Sequence, residues 1–312
     1  MLTSALPYVL LFGAMVYSLQ YGYWIALLLA IPTAGFLIRL FIIQHDCGHG
    51  TFFPSRVANN ALGFCIGVLT LTPYAYWRKT HAIHHATSGD LDRRGLGDIN
   101  TLTVGEYLGL PKFKRLAYRV YRHPLLLFGI GPAFQFIVKH RFPWECPSEW
   151  KREWRSVHLT NLVLLTLVSI LGLTIGLQQF LIVQLPVTLL ASSVGVWLFY
   201  VQHQFEDTYW QRRDQWEFYA AGLEGSSHYD LPRVLRWFTA NIGLHHIHHL
   251  NSRIPNYKLQ KCFDETPMLQ RVTRLTLRHS LRCGALKLWD EEQQKLVGFR
   301  ACRTGTTTRA LG

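Results

Sequence analysis

The sequence predicts an all-α integral membrane fold: four transmembrane helices in two hairpins, with interfacial helices and a cytosolic histidine-rich cap. Three observations carry that expectation. Half of the 312 residues are apolar (49%) and only 16% are charged, against about 25% charged in an ordinary soluble domain. The cations come in blocks: Arg39 alone precedes residue 44, fifteen Lys and Arg lie between 45 and 155, none between 156 and 211, and sixteen follow. Nine of the fifteen histidines fall in three five-residue windows, each next to apolar or basic sequence.

The elements follow in chain order. Residues 7–43 are almost wholly apolar, with one uncharged break at Gln20-Tyr21-Gly22-Tyr23. That is too long for one span of about 20 residues and fits two helices joined by a tight turn. The N-terminus lacks the charged region of a signal peptide, so this segment is expected to remain as an anchor. Segment 44–155 is polar and basic and holds the first two histidine windows. Within it, 61–76 and 124–138 are apolar but short, and they read as interfacial or re-entrant helices or, equally, as buried core helices. Segment 156–202 is a second apolar hairpin, broken at Gly176-Leu177-Gln178-Gln179. Segment 203–312 holds the third window and, after Leu250, an Arg-rich tail expected to be soluble. The four segments are expected to form a single domain.

A net charge of +13 raises the question of nucleic acid. The cations flank apolar spans, however, which the positive-inside rule explains and which anionic lipid headgroups would complement. No nucleic-acid partner is expected. Six scattered cysteines form no CxxC pair and fit free thiols in a reducing compartment.

The three windows read His45-Asp-Cys-Gly-His49, His81-Ala-Ile-His84-His85 and His245-His246-Ile-His248-His249. Spacings of i, i+3 and i+4 place imidazoles on one helix face. Imidazole nitrogen suits Zn, Fe, Cu or Ni. Zinc takes three or four protein ligands, so eight or nine histidines suit two metals instead. The His-Glu-x-x-His of zinc proteases is absent, as is the Glu-x-x-His of soluble di-iron bundles. A histidine-ligated pair of irons is what remains.

His45-x-x-x-His49, His81-x-x-His84-His85 and His245-x-x-His248-His249, set around two apolar hairpins, resemble the three histidine boxes of the membrane fatty acid desaturases. The text around them, His45-Asp-Cys-Gly-His49-Gly with Phe52-Phe53 and Trp77-Arg-Lys-Thr-His81, resembles the Δ12/ω3 acyl-lipid branch. The resemblance implies two Fe ions, O2 as co-substrate, and insertion of a cis double bond into a membrane-lipid acyl chain. It also implies His203, after the fourth span, as a ninth ligand. Related box proteins hydroxylate acyl chains or oxidise carotenoids and hydrocarbons, so those outcomes stay open. A non-enzymatic histidine-rich transporter is the other alternative, although its ligands should lie within the spans.

His246 is surplus to the box pattern, and His228 is a weaker metal candidate. His123, His140, His158 and His279 read as structural or surface residues. Asp46, Asp90, Asp92 and Asp98 are candidates to accept the second ring N–H of a ligand, and Asn241 is a candidate to share a helix face with His245. Tyr74, Tyr76, Trp77 and Trp197 are candidate walls of an acyl tunnel. The chain carries no haem or Fe–S motif of its own, so a separate ferredoxin-like or cytochrome b5-like electron donor is expected. The expected location is a bacterial inner (plasma) membrane, with the active site cytosolic.

Overall fold

Helices of very different length build the protein, and the computed structural model describes residues 1–303 of it. The last part of the expected tail, 304–312, lies outside the described residues. Leu2–Ser18 (α1) and Tyr23–His49 (α2) form the first pair. The chain reverses between them at Gly22, whose φ of +152° favours a residue without Cβ. Ala26, Ala30 and Ala34 of α2 are buried with Met15 of α1 and with Val183 and Val187 of a later helix. Small side chains here let the long helices approach closely.

Arg56–Leu69 (α3) starts on Ser55, whose hydroxyl accepts the Ala58 N–H at 3.3 Å. The stretch 61–76, expected as one apolar element, is broken at 70–73. Leu71 adopts a left-handed φ of +56°, and the Thr72 N–H returns to the Gly67 carbonyl at 2.7 Å. A Cβ on Gly67 would lie 2.6 Å from the Thr72 oxygen, so glycine is required there. Pro73 then opens Tyr74–Thr87 (α4), which carries the second histidine window.

Leu102–Thr103 (β1) leads into Val104–Gly109 (α5), which opens on a capping box of Thr103 and Glu106. Lys112–Tyr121 (α6) follows. Residues 126–130 form a π-helical turn that runs into Gly131–Ile137 (α7). The stretch 124–138 is not a buried core helix. Leu127 is buried, but Leu125, Ile130 and Phe134 are 73%, 66% and 50% exposed.

Lys151–Leu171 (α8) and Leu177–His203 (α9) follow, separated by a π-helical turn and by Gly176 with φ +91°. Among the described residues, two helical runs are long and apolar enough to cross a membrane, Tyr23–His49 and Lys151–His203. α2 and α9 each have 27 residues, about 40 Å of helix. The histidines of both helices lie at their C-terminal ends.

The remaining elements are short: Phe218–Leu223 (α10), His228–Asp230 (β2), Arg233–Phe238 (α11), His245–Leu250 (α12), Asn256–Glu265 (α13), Arg274–Thr276 (β3), Leu277–Cys283 (α14), Leu288–Asp290 (β4) and Lys295–Val297 (β5). They do not form a loose tail. β4 pairs in parallel with β1, Leu102 opposite Leu288, and antiparallel with β5. β3 pairs in parallel with β2. Leu288, Trp289 and Leu296 are fully buried, and the Tyr200 hydroxyl donates to the Leu286 carbonyl at 2.6 Å. The segment after Leu250 thus closes over the C-terminal end of α9.

Candidate metal centre

The ends of α2 and α9, the face of α4 and the whole of α12 converge. They bring nine histidines into two groups: His45, His49, His81, His85 and His248 in one, and His84, His203, His245 and His249 in the other. Within each group the candidate ligand atoms all lie within 4.8 Å of one another. The groups abut where the His85 and His249 rings stack at 4.2 Å.

The nitrogens face inward. His81 Nε2 lies 3.1 Å from both His49 Nε2 and His85 Nε2, and His85 Nε2 lies 3.0 Å from His248 Nε2. In the second group His203 Nε2 is 3.2 Å from His84 Nε2 and 3.0 Å from His245 Nε2. A neutral imidazole Nε2 has either one proton or one lone pair. The interior nitrogens of such a chain can therefore satisfy only one neighbour well. His249 Nε2 is buried with no hydrogen-bond partner among the described residues. Converging lone pairs and an orphaned ring nitrogen fit a bound cation in each group, and the two groups are compatible with a di-iron site.

Burial first, and neighbouring imidazoles second, hold His81, His85, His245, His248 and His249 well below the usual histidine range. These rings stay neutral, as metal ligation requires. Several are aimed from behind. His84 Nδ1 lies 2.5 Å from an Asp98 oxygen, and His203 Nδ1–H donates to the Gly225 carbonyl at 3.1 Å. His45 Nδ1 is 3.3 Å from Asp46 Oδ1. The other Asp46 oxygen accepts both the backbone and side-chain N–H of Asn256, each at 2.7 Å. Trp77 stacks on His81 at 4.7 Å and 15°.

The other expected residues lie elsewhere. His246 donates through Nε2 to the Leu269 carbonyl at 3.0 Å, and burial pushes it down to about 4. His228 sits on β2 against Phe263, outside both groups. Asp90 and Asp92 pair with Arg213 and Arg212, not with histidine. Asn241 does not share a helix face with His245: it has a left-handed φ of +60°, precedes α12, and donates to the Asn256 carbonyl. Tyr74 donates to the Cys47 carbonyl, and Trp197 to the Tyr229 hydroxyl. The isolated His140 is buried, bonded to Leu71 and Gln135.

Two contributors escaped sequence reasoning. Asn256 had a faint signal, a Pro255-Asn256 helix start six residues past Leu250. The Gly225 carbonyl had none. A cavity of about 10 Å³, enough for about one water, lies beside Asp98, His203 and Gln204. An open apolar groove of about 1010 Å³ runs between Tyr23, Leu27, Ala133, Ile137 and the 177–189 stretch of α9. Leu27 is about 27 Å along α2 from His45, so this groove lies at the far end from the histidines.

This is a mostly helical protein with a paired polyhistidine centre able to hold metal. The fatty acid desaturase family model matches residues 22–276. A fatty acid desaturase of Bacillus subtilis is 45% identical over 97% of this chain and 86% of its own length. An sn-1 acyl-lipid omega-3 desaturase (ferredoxin) of Synechocystis is 28% identical over 71% of this chain and 62% of its own length. An sn-1 oleoyl-lipid 12-desaturase of Anabaena variabilis is 26% identical over 84% of this chain and 74% of its own length. The chain belongs to the fatty acid desaturase family and is an oxidoreductase of lipid metabolism.

Proposed function

We propose that this desaturase inserts a cis double bond, with Δ12/ω-type regiochemistry, into the acyl chain of a membrane lipid. The observation that carries the reading is the pair of inward-facing histidine groups, each within 4.8 Å. The names of the cyanobacterial relatives support the acyl-lipid substrate and the Δ12/ω class. His45, His49, His81, His85 and His248 hold one iron, and His84, His203, His245 and His249 hold the other. Bound iron supplies the O2-dependent removal of two hydrogens from neighbouring methylenes, with O2 ending as water.

The chain's own residues orient and protect that chemistry. Asp98 and the Gly225 carbonyl each accept an Nδ1–H, which leaves the Nε2 lone pairs of His84 and His203 aimed inward. Asp46, itself held by Asn256, does the same for His45. Burial of His84, His203, His245 and His249 keeps bulk water from the second group. α1 with α2, and α8 with α9, serve as two hairpins and four spans in a bacterial plasma membrane, their basic ends and the histidines cytosolic. The whole chain works as one catalytic domain, because the β1–β4 pairing ties segment 44–155 to segment 203–312. A separate ferredoxin-like or cytochrome b5-like donor supplies electrons, and the basic face suits an acidic one.

Gas chromatography with mass spectrometry of fatty acids from an expressing host tests the reading. A new cis-unsaturated acid should appear, and His84→Ala should reduce it at least roughly 100-fold. A hydroxylated product without alkene, or near-normal conversion by His84→Ala, would overturn it.

A further inference from the structure

The helix α6 has two faces, and only one is explained by the protein. On the inner face Tyr118 is buried and its hydroxyl donates to the Lys287 carbonyl at 2.7 Å. Arg115 turns back to the Leu110 carbonyl, and Arg119 to the Tyr107 hydroxyl. On the outer face Phe113, Leu116 and Val120 are 69%, 63% and 53% exposed, with Ala117 exposed between them. These are positions i, i+3, i+4 and i+7, one continuous apolar stripe on a helix. A stripe of this kind in water marks a binding surface.

Its surroundings indicate what covers it. Lys112 and Lys114 flank Phe113, are exposed, and form no ion pair among the described residues. Between Glu106 and Glu145 the sequence holds no acidic residue at all. The stripe continues into exposed Leu125, Ile130 and Phe134, on the segment packed along α9. An acidic protein partner would be met by the cations alone and would leave the apolar stripe wet. A helix with an apolar face and basic flanks, continuous with an apolar segment beside a long apolar helix, suits the boundary of an anionic bilayer.

We propose that α6 is a membrane-surface anchor. Phe113, Leu116 and Val120 enter the acyl boundary, while Lys112 and Lys114 meet lipid phosphates. The anchor is tied to the metal centre. Arg122, one residue past α6 and fully buried, donates to the Tyr200 hydroxyl at 3.2 Å and to Gln204 Oε1 at 3.0 Å. Gln204 follows His203, so the contact with lipid sets the height of the second histidine group above the bilayer. The proposal rests on the reading that α2 and α9 cross a membrane.

The test uses the full chain in nanodiscs of phosphatidylglycerol and phosphatidylcholine, with exposed Cys65 replaced by Ser. A nitroxide probe is placed in turn at Leu116→Cys, at Leu165→Cys on the exposed side of α8, and at Glu292→Cys on the cap. Collision with O2 and with a water-soluble nickel chelate is then measured. Leu116 should favour O2 as Leu165 does, opposite to Glu292. K112E/K114E, or discs of phosphatidylcholine alone, should shift Leu116 toward water, by roughly fivefold in partition for each lysine. A water-exposed probe at Leu116, with Leu165 still in lipid, would overturn the anchor and leave the spans standing. A Leu116 probe shielded from both reagents would mean that protein, such as a second copy, covers the stripe, and would also overturn it. A water-exposed Leu165 would overturn the membrane reading and the anchor together.

Discussion

The two histidine groups differ in number, depth and support. The group around His81 has five members, three of them only partly buried, and draws on α2, α4 and α12. The group around His203 has four, all buried, and draws on α4, α9 and α12. Behind the first stands a carboxylate that is itself clamped, Asp46, with Asn256 holding one oxygen and His45 near the other at 3.3 Å. Behind the second stand a short contact from Asp98 to His84 and a backbone carbonyl on His203. The larger group can lose one donor and keep four, whereas the smaller falls to three. The deep group therefore depends more on each of its members and on the groups that aim them.

Removing the aiming groups sharpens that contrast first. Asp98→Ala should weaken metal binding by about 10–100-fold, measured by competition with a chelator, because it frees the ring of a four-member site. Asp46→Ala should weaken it less, since four other histidines remain in its group, but it strips Asn256 of its acceptor and should lower the unfolding temperature. Equal losses of metal affinity in both variants would break the distinction between the groups.

His140 gives a smaller effect and a control from outside both groups. It is a buried histidine whose Nδ1–H donates to the Leu71 carbonyl and whose Nε2 accepts from the Gln135 amide, and burial pushes it down to about 3 from the ordinary 6.5. Above pH 6.5 it is neutral whether the chain is folded or not. Below that value the unfolded chain takes up a proton that the folded one refuses until about pH 3. Its share of stability is therefore full above pH 6.5 and is lost as pH falls, at up to about 1.4 kcal/mol per unit. His140→Asn should flatten the fall in unfolding temperature between pH 7 and 5. An unchanged slope would contradict the assignment.

The histidines were legible because helical spacing is written in the sequence: His45 and His49, or His81 and His85, must share a face. Their partition was not. His84 lies one residue from His85 yet joins the other group, because successive positions on a helix diverge by about 100° and only tertiary packing says what each side meets. The same holds for His248 and His249. The turns at Gly22 and Gly176 were legible as breaks in apolar runs. The break at Leu71 was not, since a left-handed leucine has no local signature. Strands β1 and β4 pair across 186 positions, from Leu102 to Leu288, and nothing local in strands of two and three residues announces such a partner. Asp98 could not be told from Asp90 by sequence because both flank the second window and the choice depends on how the 88–98 loop folds back on α4.

If the nine histidines form two separate metal sites, split between neighbours on one helix, iron content should follow the split. Iron per chain, measured by mass spectrometry on purified protein, tests it most directly. Intact protein should hold two irons. His84→Ala with His203→Ala leaves two ligands in the four-member group and should leave one iron, whereas His84→Ala with His85→Ala takes one ligand from each group, leaves three and four, and should hold between one and two. Equal iron content in the two double variants would contradict the partition.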